Sequence, residues 1–220
     1  MVTGSLRQSF ARLGARSGGG GHAMTDPAQM IRTCVLGEAA IRIDYTTGSV
    51  QAATGATGRV WAADANVVVA QSPTLVFGTE EADLEPSALS VPRARDAIIA
   101  AVALVVVLAV RDIGPCSRSM RRIIRLLAVA TRPASRPATT AHATRAVEAV
   151  RWVAHKVPAR IACLEESVAA ILVLTVRRRR ATWSHGVAPD PVQFHAWIEV
   201  DDAPVAEPPS TSRFTALLTI

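Results

Sequence analysis

The run AIIAAVALVVVLAV, residues 97–110, has fourteen residues and no polar side chain. A bilayer span needs ~20 such residues, so the run predicts a helix buried in protein rather than a membrane crossing. A chain that contains it must supply a core large enough to cover it. The 220 residues suffice for one large domain or two small ones. Half of them are hydrophobic, which excludes a wholly disordered chain.

Charge and cysteine content narrow the class. The formal net charge is +6, and every basic residue except Lys156 is Arg. With the excess of Ala and Val, that skew reads as coding bias rather than as a phosphate-binding surface. Basic residues do not interleave with aromatics, so no nucleic-acid partner is expected. Cys34, Cys116 and Cys163 are too widely spaced for a disulfide framework or a CxxC pair. No metal site is expected, and a reducing cytoplasm is the natural compartment. Residues 1–23 are rich in Gly, Ser and Arg and lack an apolar signal region. They read as a disordered tail or an overcalled start, with Met24 as the alternative first residue.

From residue 24 to 92 the pattern is β-like and local. AAIRIDYTTGSVQA alternates apolar and polar residues around a turn at Thr47-Gly48, which predicts a hairpin. The following TGATGRVWAADA predicts a helix with Val60 and Trp61 facing that hairpin. NVVVAQSPTLVFG reads as strand, and the acidic, proline-containing TEEADLEPSALSVP as a linker, placing a boundary near Pro92. Residues 93–220 turn helical, with helices predicted over 94–111, 117–132, 139–157 and 163–176 from their apolar spacing. A strand, FHAWIEV, comes after the helices. That order makes the fold class α+β rather than alternating β-α-β.

Cys163 stands at the start of its helix, where unpaired backbone N–H groups favour a thiolate over a thiol. A small apolar residue packed into the core is the competing reading. His195 lies in the alternating strand and shares a face with Trp197 and Glu199, while Ala196, Ile198 and Val200 form a core row. An imidazole there suits a general base for a thiol carried by a neighbouring helix. His185 is the competing base and a competing metal ligand. For the acid that orients the imidazole, Glu207 lies on the strand returning from a turn at VDDAPV, opposite His195; Asp201 and Asp202 remain alternatives at the turn. The arginines of RRRR, residues 177–180, read as a solvated helix end.

CLEESVAAILVLTVRRRRATWSHGV, then FHAWIEVDDAPVAEP and the ending SRFTALLTI, resemble the leader peptidases of lasso peptide biosynthesis. The resemblance covers roughly residues 97–220 and implies a transglutaminase-like, papain-related fold of helices and antiparallel sheet. It makes Cys163 the nucleophile, His195 the base and Glu207 the acid, where the family usually carries Asp. IRIDYTTGSVQAATGATGRVWAA is similar to the small leader-recognition domain, related to the pyrroloquinoline quinone chaperone, that some of these peptidases carry. There Ile41, Ile43, Tyr45 and Trp61 would contact a leader added as a strand to the sheet edge. The implied partners are the lasso precursor, through its leader, and an asparagine synthetase-like macrolactam synthetase. No intrinsic cofactor is implied, and no GxxxxGK[ST] motif is present; ATP would act through the synthetase. Alternatives outside this reading are a non-catalytic protein that presents the precursor, and an acyltransferase on the same triad.

Overall fold

The computed structural model describes residues 30–63, 67–69, 90–189 and 192–220. The expected tail at 1–23, most of the NVVVAQSPTLVFG strand and nearly all of the acidic linker lie outside them.

The first described unit is a four-stranded sheet: β1 (Ile31–Leu36), β2 (Ala39–Asp44), β3 (Ser49–Thr54) and β4 (Val67–Val69), in the order β3-β2-β1-β4. The predicted hairpin is β2–β3, paired from Ala39↔Thr54 to Asp44↔Ser49. Its turn is made by Asp44, whose carboxylate accepts from the Thr46 N–H (2.7 Å) and the Thr47 hydroxyl (2.8 Å). Gly48 closes it at φ +74°, a left-handed conformation that glycine adopts without a Cβ clash. Helix α1 (Gly55–Ala62) follows as expected, but only half of its predicted contact is made. Val60 is 69 % exposed, whereas the Trp61 ring takes the Arg42 guanidinium over its face at 4.6 Å. Gly58 is the buried residue of this helix, so the side that meets the sheet excludes Val60.

Three long helices form the next layer: α2 (Ala94–Asp112), α4 (Thr140–Ala154) and α5 (Cys163–Val176). The shorter α3 (Ser119–Ala130) leads into a small parallel pair, β5 (Arg136–Pro137) with β6 (Arg179–Arg180). The predicted helix at 163–176 matches α5 residue for residue. The 97–110 run is helical but not covered all round. Ala100, Ala103, Leu104 and Val107 face α4 and α5, while Ile98, Val102 and Val105 are more than half exposed. α2 packs along one side against α3, α4 and α5, and among the described residues its other side is left uncovered. At the far end of α5, Arg177 is not a solvated helix end; it pairs with the buried Asp96 of α2.

The last element is an antiparallel sheet of β7 (Thr182–Ala188), β8 (Gln193–Val200), β9 (Ala203–Pro204) and β10 (Thr215–Thr219), ordered β10-β7-β8-β9. Trp183 and Ile198 face α5 across the main core, and the Trp183 indole N–H donates to Ser167 Oγ of that helix at 2.9 Å. Further along, Val187 and Leu217 enter a second core with Met30, Cys34, Ile41, Ile43, Tyr45 and Ile124. The small N-terminal sheet is therefore packed onto α3 and the β7–β10 strands by shared apolar burial, the dominant favourable contribution to such association. No single helix among the described residues is long and apolar enough to cross a membrane.

Candidate active site

α5 begins at Cys163 because the chain before it is extended and the first turn is anchored from both sides. Ala162, the residue ahead of the helix, has no side-chain acceptor to offer. Glu165 supplies the other half of a cap instead, its carboxylate accepting from the Ala162 N–H at 3.0 Å. Arg111, at the end of α2, donates to the same carboxylate at 3.0 Å and to the Arg160 carbonyl at 3.2 Å. The buried Glu165 is thus neutralised by a cation and spent on the helix start, not turned toward the thiol.

Cys163 meets the open edge of β8. The His195 side chain and the Ala196 and Leu164 backbone N–H groups lie around the sulfur and favour its thiolate. Burial raises the thiol, but these three partners outweigh it, and the net effect lies below the ordinary cysteine value. His195 shows the complementary balance. Burial alone would lower it, yet its bonds to Cys163 and Glu207 push it up to about 9. A thiolate facing an imidazolium is the state this geometry favours.

Glu207 completes the row, not from a returning strand as expected but from the irregular segment between β9 and Pro209, because β9 ends at Pro204. Its Oε2 lies 2.7 Å from His195 Nε2, which leaves Nδ1 for the thiol. Thr211 donates to the same oxygen at 3.4 Å. Asp201 and Asp202 sit instead in the exposed β8–β9 turn, with φ of +53° and +61°, and neither reaches the imidazole. The structure therefore brings together Cys163, His195 and Glu207, and not the two aspartates.

The face that carries His195 is not the polar one its alternation suggests. Trp197 is only 3 % exposed and stacks on the imidazole at 5.8 Å, and Phe214 closes on both rings at 5.2 and 6.4 Å. Room for the Trp197 ring comes from Gly186 on β7, directly opposite His195. A Cβ there would lie 2.8 Å from the Trp197 ring and 2.4 Å from the Thr215 carbonyl oxygen.

His185 is placed elsewhere. It is mostly buried under the N-terminal sheet, with Nδ1 2.7 Å from the Tyr45 hydroxyl and its ring parallel to Phe194 at 6.1 Å. Burial, and secondarily the charge on His195, lower it to about 4, so it is neutral near pH 7. Among the described residues no group of three His, Cys, Asp or Glu is placed to hold a metal ion.

Ile41, Ile43 and Tyr45 are at most 3 % exposed and face the shared core, so a leader docked on this sheet would not meet their side chains. Trp61 is half-buried against Arg42. Among the described residues β3 pairs only with β2, which leaves its outer edge open to backbone pairing.

Arg151 of α4 is a site residue that the sequence reading missed. It donates to Glu207 Oε1 at 2.7 Å, to the Ala206 carbonyl at 2.5 Å and, more loosely, to Glu166 at 3.4 Å. Burial raises Glu166 above the usual carboxylate value, with Arg151 opposing the shift. Its helical spacing carries no signal for a partner on a loop beyond β8.

Residues 103–219, just over half of the chain, match the family model described as the transglutaminase-like superfamily. No curated protein and no solved structure matches the chain.

Proposed function

This chain belongs to the transglutaminase-like superfamily, and from that premise we propose that it is a cysteine peptidase that removes the leader from a ribosomally made lasso peptide precursor. The observation that carries the chemistry is the Cys163–His195–Glu207 row with a raised imidazole and a lowered thiol. The Cys163 thiolate attacks the carbonyl at the leader–core junction, and the C=O electron pair moves to oxygen. Backbone N–H groups at the start of α5, unpaired within the helix, suit the developing oxyanion. Collapse breaks the C–N bond; the His195 imidazolium gives its proton to the departing amine of the core. A water then attacks the thioester as His195 takes its proton, the C–S bond breaks to restore the Cys163 thiolate beside the imidazolium, and the leader leaves as a carboxylic acid that ionises in solvent.

The precursor as substrate rests on the sequence resemblance and on the open edge of β3, where a leader segment would pair backbone to backbone. The freed amine is what a macrolactam synthetase consumes, so that enzyme is the proposed partner, the step that uses ATP is assigned to it, and the cytoplasm is the compartment.

The test is mass spectrometry of the precursor after incubation with the synthetase and either wild type or Cys163→Ala. A single cut that requires Cys163 supports the reading. Leader binding without any cut, in both proteins, would sink it in favour of a presenting module. A hydroxylamine adduct formed in strong preference to hydrolysis would instead indicate acyl transfer.

A further inference from the structure

We propose that Arg151 is the positioning residue of the triad, holding Glu207 in the orientation that supports His195. The inference rests on the nucleophilic reading of Cys163 and not on the identity of the peptide substrate.

The segment that carries Glu207 has little regular structure to hold it. β9 is two residues long, Ala206 is left-handed at φ +55°, and a short 3-10 turn begins at Pro209. A glutamate also has one more free torsion than the aspartate usual at this place, so its carboxylate needs an external constraint. Arg151 supplies it from a regular helix. One arm of the guanidinium takes the Ala206 carbonyl and another takes Glu207 Oε1, which leaves Oε2 for His195. The rigid fork of arginine makes both contacts at once, as a lysine point charge would not. The Glu207 side chain is only 6 % exposed, so water is a poor substitute for these donors. Without Arg151, Oε1 and the Ala206 carbonyl each lose a strong partner in a buried place, and the carboxylate turns away from His195 to recover hydration.

The consequence is read at Cys163 without any peptide. Iodoacetamide alkylation of Cys163 is followed against pH by mass mapping in a Cys116→Ser background, since Cys116 is exposed and Cys34 is buried. Wild type should show its thiolate limb below the ordinary cysteine value of about 8.5. In Arg151→Ala the limb should rise by about one pH unit, because the imidazolium beside the thiolate loses its acid partner. The same rise is expected in a Glu166→Gln background, where the other carboxylate that Arg151 reaches is uncharged. Arg151→Met, which keeps the apolar stem, should do the same. Arg177→Met, which breaks the comparable Asp96 pair at the opposite end of α5, should leave the limb in place.

A low limb that stays put in folded Arg151→Ala or Arg151→Met overturns the proposal while leaving Cys163 as nucleophile. A wild-type limb at the ordinary thiol value overturns the nucleophile reading itself. A chain that cannot fold with either replacement makes Arg151 a structural residue, which also overturns the positioning role.

Discussion

Two histidines on neighbouring strands show what separates the two halves of the β7–β10 sheet. His195, at the open edge of β8, has an acid on one ring nitrogen and a thiol on the other, and its value rises to about 9. His185, under the N-terminal sheet, has a tyrosine hydroxyl on one nitrogen and aromatic rings around it, and its value falls to about 4. Both are withdrawn from water, and burial lowers both. The sign of the outcome is decided by whether the partners carry charge. One region is arranged to keep an imidazolium beside a thiolate; the other is arranged to keep a neutral ring in an apolar seam.

The sharpest way to break that contrast is to remove each ring in turn. His195→Ala should lower kcat/KM for the proposed cleavage by about a thousandfold or more, since base and thiolate stabiliser go together. Glu207→Gln should cost less than that, by about tenfold or more, because the thiolate–imidazolium pair retains its own attraction. His185→Phe should keep most of the activity. If a steady-state assay found His185→Phe as damaged as His195→Ala, the division of the sheet into a charged and a neutral half would be wrong.

Acid offers a second handle. His185 is depressed in the fold, so between pH about 6.5 and about 4 the unfolded chain takes up a proton that the native chain does not. Stability should fall as pH drops through that window, by up to about 3 kcal/mol from this group. The contribution of His195 runs the opposite way: it is present below pH 6.5 and lost as pH rises through about 9. Urea midpoints of wild type and His185→Phe at pH 7 and pH 4.5 would separate the two, and an equal acid loss in both proteins would remove His185 as its cause.

The smallest effect is expected at the seam itself. Tyr45→Phe leaves His185 Nδ1 without its hydroxyl partner in a buried site, which should cost about 1–3 kcal/mol in denaturant unfolding. The Cys163 thiolate limb should not move. A shift of that limb in Tyr45→Phe would mean that the N-terminal sheet reaches the chemistry through β7.

What the sequence made legible follows the range of the interactions. α5 and its cysteine were readable because helix periodicity is local, and Glu207 only in part: the turn after β8 does send the chain back, but the pairing ends at Pro204 and Glu207 reaches His195 from the irregular segment beyond it. Arg151 was not readable: its partners Ala206 and Glu207 lie across the fold, and an arginine in the last turn of a helix has an ordinary meaning without them. The resemblance to a leader-recognition domain made Tyr45 a ligand contact, but a local likeness does not say what covers that side of the sheet, and in the fold the side chain is buried in the seam. The exposed half of α2 has the same origin, since an apolar run without period gives no sign of which side is left uncovered. The burial of Trp197 was hidden too, because its space is made by the absence of a side chain on another strand.

That absence, at Gly186, limits how this chain can drift. Every single-residue replacement there adds at least a Cβ, and the smallest already runs into a backbone oxygen and the Trp197 ring. Relief would have to come from opening the β7–β10 pairing or from moving an indole that stacks on His195. Neither route is gradual, so variants at position 186 pay in the alignment of the base before they gain anything. A position with no side chain is in this way as closed to mutation as the cysteine, although it performs no chemistry.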